Sequence, residues 1–443
     1  MVICGIAACP GAHGEDDEFR VYTEHPRLIL TQQRLRLLKR ERERDSMRWR
    51  QFETLVKDSA AMPEPGFALA LYYAVAGDAG AGKRAVEWAL SAQSTDLHQL
   101  ALVYDWCQPI LSEQQSAALS AKIRRLAKPH GLDSFSPRDV AFAWIATADD
   151  STHPEEAVLR ELVEHWWRGG YVRSLANGAV QPRLADFFPL LEMMHAIRDN
   201  LKIDLRDDAP DYFSRLPVYL IAANYPAPYR APENEFRIPV YVGEGDPDLT
   251  AATLARAAGL ATVAIDTNSI ENQYLQGWLN QDRFAMLTPL GAPYEFLWAN
   301  PYQPGLSFYQ LPMVFHDPHT GALFARSSWD EDADWFGLYA GTAELFHAGH
   351  ATVVNQAASG SSKPTPLNLG ESSVVFGRIP FQFSMEGGAI LVIGLQPDKK
   401  YLVETDDEEM REVETDRAGT FVLAYPDDRS AGIRVHEPIA NGQ

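Results

Sequence analysis

The stretch Met313-Val314-Phe315-His316-Asp317-Pro318-His319-Thr320-Gly321-Ala322-Leu323-Phe324-Ala325 divides the chain into two textures. Two short apolar runs flank a turn-forming Asp-Pro-His-Thr-Gly, which reads as a β-hairpin. From Leu311 onward the apolar period is two, and further strands fit 334–340, 351–355, 372–377, 379–385, 389–395, 400–405, 410–415, 419–425 and 431–436. Short strands with Gly, Asp and Pro punctuation predict an antiparallel β-sandwich over 306–443.

Upstream the period is that of a helix. One long helical pattern runs from Thr31 to about Ala61, with Thr31 as its N-cap. Others fit 66–76, 80–93, 97–109, 112–127, 137–149, 154–167, 185–200, 248–264 and 269–283. Ser112-Glu113-Gln114-Gln115 has the form of a capping box, and Pro154 opens a first turn. Short loops between such helices imply successive antiparallel pairs, and so many pairs suit a ring or solenoid of hairpins better than one bundle. The stretch from Tyr294 to Gly305 is aromatic and turn-rich and reads as the connection between the two textures. Helices first and strands second means separate layers or domains rather than interleaved α/β.

Composition narrows the function classes. Against 39 Lys and Arg stand 60 Asp and Glu, a formal charge of −21 over 443 residues, so a phosphate backbone is repelled and nucleic acid is not an expected partner. No stretch approaches the ~20 apolar residues that span a bilayer. Cys4, Cys9 and Cys107 make neither a disulfide framework nor a metal-binding spacing. The opening MVICGIAACPGAHG is small and apolar and stops at Glu15-Asp16-Asp17-Glu18. It looks like the tail of a secretion signal, with Ile6-Ala7-Ala8-Cys9 resembling a lipoprotein cleavage box. Residues 1–24 are therefore expected to be a signal remnant or disordered, and the protein exported, periplasmic or lipid-anchored.

Three fragments share wording with a known family. His25-Pro26-Arg27-Leu28-Ile29-Leu30-Thr31 before a charged helix resembles the opening of heparinase II/III-like proteins. Ala101-Leu102-Val103-Tyr104-Asp105-Trp106 followed by Leu111-Ser112-Glu113 is similar, as is Leu323-Phe324-Ala325-Arg326-Ser327-Ser328-Trp329-Asp330 leading to Asp334-Trp335-Phe336-Gly337. The wording is closest to bacterial members outside the enzymes whose chemistry defines the family. The resemblance implies an (α/α) toroid over 25–305, a sandwich after it and a cleft between them. It also implies a polysaccharide lyase or related glycan-handling function, with an acidic polysaccharide or oligosaccharide as partner.

β-Elimination from a uronate needs a group that neutralises the carboxylate, a base, and an acid for the departing oxygen. By resemblance, Arg138 stands where Asn or His is expected, and an Arg binds a carboxylate in bidentate fashion. The family's acid/base Tyr would fall where this chain has Phe187 and Phe188, so Tyr171 or His195 would have to substitute, with Arg183 as a second cation. The segment Phe346-His347-Ala348-Gly349-His350-Ala351 resembles the family's His-containing strand without its following Asp, for which Asn355 is the nearest polar replacement. Read as one strand, it puts His347 and His350 on opposite faces. The expected catalytic set is thus Arg138, Tyr171, Arg183, His347 and His350, with Asn177, Trp298 and Tyr302 as substrate contacts. No cofactor is expected. A zinc ion in the sandwich would need His316 or His319 and a carboxylate besides that pair. The alternative is a glycan-binding protein of the same fold that has lost the chemistry.

Overall fold

The computed structural model describes residues 19–21, 23–127, 136–149, 152–241, 245–354, 361–406 and 409–438. The signal-like residues 1–14, with Cys4 and Cys9, and Asn355 lie outside the described residues. By internal contact the chain forms two compact units. One gathers the chain up to Ser46 with Val56–Gly170 and Glu192–Asp207; the other gathers Met47–Leu55, Tyr171–Leu191 and the chain from Asp208 on. The second unit carries helices as well as sheets, because the change from helix to strand falls between Trp298 and Val314.

The helices are α1 (Gln32–Glu43), α2 (Met47–Lys57), α3 (Pro65–Ala76), α4 (Ala79–Leu90), α5 (Leu97–Trp106), α6 (Glu113–Leu126), α7 (Pro137–Ala146) and α8 (Glu155–Arg160). Next come α9 (Val172–Ala176), α10 (Phe187–Leu201), α11 (Pro210–Ala222), α12 (Leu249–Ile265), α13 (Ile270–Leu279) and α14 (Gly291–Trp298). A π-helical stretch, Glu161–Tyr171, joins α8 to α9. Three of these differ from the sequence expectation. The single helix over 31–61 is two helices, separated at Asp45, whose φ is 51°. Helix α11 was hidden by Pro210 and Pro217; the first sits at a helix start, where its missing N–H costs nothing, and the second is tolerated inside. The segment read as an aromatic connection contains α14, all eight of whose residues are buried.

In the first unit, Asp105 explains why two fragments far apart in sequence belong together. Its fully buried carboxylate accepts the backbone N–H groups of Arg27 and Leu28 at 2.8–2.9 Å and pairs with the His25 ring. The neighbouring Trp106 indole donates to the Leu28 carbonyl at 2.9 Å. The His-Pro-Arg-Leu opening and the Tyr-Asp-Trp end of α5 are therefore the two halves of one hydrogen-bonded clasp.

In the second unit, β1 (Tyr229–Arg230) and β2 (Glu235–Phe236) form a small ribbon. A five-stranded sheet contains β3 (Val314–Asp317), β4 (Ala322–Arg326), β5 (Trp335–Tyr339), β6 (Thr342–His347) and β7 (His350–Val354) in sequential antiparallel order. A six-stranded sheet contains β8 (Leu367–Leu369), β9 (Ser372–Phe376), β10 (Phe381–Ile393), β11 (Lys400–Thr405), β12 (Glu409–Glu414) and β13 (Phe421–His436) in the order β12-β11-β13-β10-β9-β8. Leu323, Ala325, Phe336, Leu338 and Ala343 of the first sheet pack on Leu369, Val374, Leu391 and Ile393 of the second, which makes the sandwich. The alternate residues Ile390 and Val392 point into another core on the far side. Burial on both faces is why residues 389–393 read as a continuous apolar run. The expected all-antiparallel sandwich is corrected at one pair, since β9 and β10 run parallel. Strands expected separately at 379–385 and 389–395 are one strand with a register shift between Glu386 and Gly388.

The outer face of the five-stranded sheet is aromatic and carries α11. Tyr219 packs on Phe315 and Phe324, and Trp335 stacks on Phe324. The helix ends against the sheet: Trp335 Nε1 and Arg326 Nη2 donate to the Ala222 carbonyl at 2.9 and 3.1 Å. A cation and an indole thus satisfy a helix C-terminus that has no intrahelical donor.

Gly277 of α13 permits the tightest backbone approach in this unit. A Cβ there would sit 1.8 Å from the Leu306 carbonyl oxygen, and one on Gly305 would sit 2.1 Å from Gly277 N. Gly277→Ala is expected to lower unfolding stability by about 1–3 kcal/mol or more, read from denaturant curves. A surface change such as Ile270→Ala on the same helix, at a residue 59% exposed, should cost much less.

Candidate functional site

A cavity of about 740 Å³ lies wholly within the second unit. That volume falls within the ~300–1,000 Å³ of small-molecule sites. Its walls come from the end of α9 with the loop after it, the first turns of α11, β3 with its turn, and the end of β5. Tyr212, Arg215 and Tyr219 are spaced 3 and 4 apart on α11, so helical geometry puts all three on one face. The Arg215 guanidinium reaches Asp317 at 2.9 Å and the His316 carbonyl at 2.5 Å, which fixes it over the Phe315 ring. Arg173 and Asn177 line the opposite part of the wall.

The loop at 178–182 is held in place from both sides. Gln181 donates to the Thr320 carbonyl and accepts from Ala340 N, and the Tyr339 hydroxyl donates to the Pro182 carbonyl at 2.9 Å. Gly178 has a φ of 73°, and a Cβ there would lie 2.5 Å from the His319 carbonyl oxygen. Only glycine meets both demands at this position.

The cavity gathers phenols in their acid form. Burial, then the influence of Tyr339 and Tyr212, holds the Tyr219 hydroxyl well above the usual phenol range. Burial and the Tyr171 and Asp317 groups raise Tyr212. Tyr339 is pushed up to about 12 by burial and by the Asp186 carboxylate. At neutral pH these groups donate protons or hydrogen bonds and do not serve as bases. Beside two guanidinium groups, the arrangement can hold an anionic oxygen while offering a proton to a neighbouring one.

The sequence-expected residues are distributed as follows. Asn177 lines the cavity, and its side chain also accepts from Ala179 N at 3.0 Å. Tyr171 is half-buried and influences Tyr212; burial and Asp186 raise its phenol. Arg183 is exposed and grips Asp186 through Nε and Nη2 at 3.1 and 2.9 Å. Phe187 forms part of the cavity wall, edge-on to Tyr219, whereas Phe188 packs against Tyr294 and Trp298.

Arg138 belongs to the first unit. There it pairs with Glu192 at 2.9 Å and Asp139 at 3.0 Å, and the Glu192 carboxylate also lies 3.4 Å from His98. Burial alone would raise the Glu192 carboxyl, but the His98 and Arg138 charges outweigh it and hold the group below the usual carboxylate range. The guanidinium thus has structural partners of its own. Trp298 is 1% exposed, so its ring faces protein and offers no surface for a sugar. Tyr302 is 39% exposed, in the turn after α14.

The two histidines of the sandwich are not on one strand. Ala348 and Gly349, with φ of 49° and 83°, form a tight turn, and His347 of β6 pairs with His350 of β7 across it. Directly opposed residues share a face of the sheet, which corrects the opposite-face expectation. The signal was present in the Ala-Gly pair between two apolar runs. His347 bonds Asp334 at 2.7 Å, and His316 bonds Asp416 at 2.8 Å. Among the described residues no group of three or more His, Cys, Asp or Glu is placed to hold a metal ion, so the donor set does not fit a zinc site.

No family model matches this chain. No curated protein matches it either. Among solved structures, heparan sulfate lyase HepC from Pedobacter heparinus aligns over 84% of this chain and 75% of its own, at 12% identity and a TM-score of 0.38. A likeness of that size establishes neither a shared activity nor a shared site.

Sequence reading missed Tyr212, Arg215, Tyr219 and Tyr339. The 3-and-4 spacing of Tyr212, Arg215 and Tyr219 was the available signal, and Pro217 in the same stretch obscured it. Two tests follow from this geometry. In an ultraviolet titration, Tyr339→Phe should remove one late-ionising phenol near pH 12 and leave the ordinary phase around 10 unchanged. Glu192→Gln leaves Arg138 and His98 without their carboxylate and should cost about 3–5 kcal/mol in unfolding free energy.

Proposed function

We propose that this protein is polysaccharide lyase-like and acts by β-elimination on an acidic, uronate-containing glycan in the cavity of the second unit. The (α/α) toroid arrangement of the helices is part of that proposal. The observation that carries it is the juxtaposition of the guanidinium groups of Arg173 and Arg215 with the protonated Tyr219 and Tyr339 hydroxyls on the walls of one cavity. Asp208, Asp211 and Asp317 share this lining, so the two guanidinium groups are local positive points that suit a carboxylate and do not make the whole wall cationic.

In the reaction, the guanidinium groups hold the uronate carboxylate and favour the negative charge that develops on it as the adjacent carbon loses its proton. His319, the imidazole on this wall, takes that proton. The carbon–oxygen bond to the next sugar then breaks, a carbon–carbon double bond forms, and a tyrosine hydroxyl protonates the departing oxygen. The high-lying phenols suit the last role. Asn177 assists from the same wall as a hydrogen-bonding contact, and Tyr171, which is not among the lining residues, acts by its influence on Tyr212.

A second reading is favoured by Phe187. It stands on the cavity wall where the family resemblance looks for a tyrosine, and a phenyl ring transfers no proton. On that reading the cavity binds the glycan without cleaving it.

Incubation with a panel of uronate glycans separates the two. Lyase action produces an unsaturated, ultraviolet-absorbing end, and Tyr339→Phe or Tyr219→Phe should lower kcat by about 10²–10⁴. Arg215→Ala should mainly weaken binding. Saturable binding without absorbance, reduced by Arg215→Ala, selects the second reading. Absence of both binding and absorbance sinks the assignment.

A further inference from the structure

A second cavity in the same unit has its own, different lining. It measures about 550 Å³ and is lined by Tyr225, Tyr229, Tyr241 and Phe346 together with Glu344 and Asp246. Among the described residues no lysine or arginine lines it, although His350 does. Tyr225 stacks on Phe346 at 5.3 Å and meets Tyr241 edge-on at 6.0 Å, so the aromatic wall is assembled and rigid.

Glu344 gives this cavity its chemistry. The side chain is 3% exposed, and the Tyr225 hydroxyl donates to it at 2.6 Å. Two other buried carboxylates have cations: Glu192 has Arg138, and Glu295 has both Arg48 and Arg256. No ion pair joins Glu344 to a basic side chain among the described residues. Burial holds its carboxyl above the ordinary value in spite of the phenol's hydrogen bond. A buried carboxylate with no counter-charge beside aromatic faces is arranged to receive a cation from outside.

We propose that this second cavity binds a small organic cation, an alkylammonium group, against the half-buried Tyr229 and Tyr241 rings and the Glu344 carboxylate. Aromatic faces favour a weakly hydrated ammonium over a metal ion, which needs converging oxygen or nitrogen ligands that this cavity lacks. The inference is independent of the glycan reading, because it rests on different residues in a different cavity.

Calorimetric titration of the full chain with choline and with its neutral isostere 3,3-dimethylbutan-1-ol tests it. Choline should bind at least about tenfold more tightly than the isostere, the margin expected of a cation over aromatic faces beside a carboxylate. Glu344→Gln should remove most of that preference, and Tyr241→Ala should weaken choline while the thermal unfolding profile shows a folded chain. If Glu344→Gln fails to fold, the comparison of the two ligands on the unaltered protein and the Tyr241→Ala variant decide the matter. Equal affinity for choline and the isostere, or no choline binding at millimolar concentration, overturns the proposal.

Discussion

A carboxylate leaves water only when something else supplies its hydrogen bonds and charge, and in this acidic chain that requirement organises each unit. Asp105 collects two backbone N–H groups and a histidine and so fixes the segment before α1 onto α5. Glu192 holds Arg138 and His98 together between α5, α7 and α10. Glu295 on α14 takes Arg48 from α2 and Arg256 from α12. Removing any one acid takes a shared acceptor from groups on several segments at once, so these clasps help specify which helices meet.

The main cavity follows the same logic at its rim. Asp317 anchors Arg215 and also accepts from the Thr320 hydroxyl, so one carboxylate sets both a guanidinium of the wall and the turn after β3. The loop at 178–182 is then tied to that turn and to the end of β5. Tyr339 is held by a backbone carbonyl, and Tyr219 is wedged between Phe187 and the aromatic face of the sheet. Burial that rigidifies these phenols also raises them, which preserves them as acids. Position and protonation state therefore have one cause.

Much of the architecture was legible because it rests on period and punctuation. The hairpin at 314–326, the capping box at Ser112 and the strands β9, β11 and β12 follow from local pattern alone. Reading failed where proline or aromatic content masked the period, in α11 and α14, and where a two-residue turn was taken as continuous strand between His347 and His350. The candidate site was less legible for a different reason. Arg173 with Asn177, Arg215, His319 and Tyr339 lie on four separate segments, and only the first two are neighbours in sequence.

The sequence by itself determined the order of helices and strands, the alternation that makes a sandwich core, and the acidic net charge. These depend on the spacing of apolar residues and on their count, which are properties of the linear chain. Only the tertiary structure decided that Arg138 is engaged by a buried acid, that Trp298 is walled in, and that tyrosines from α11 and β5 share one cavity. Those outcomes depend on which side chains long-range packing brings within a few ångströms, and on how burial then shifts their protonation.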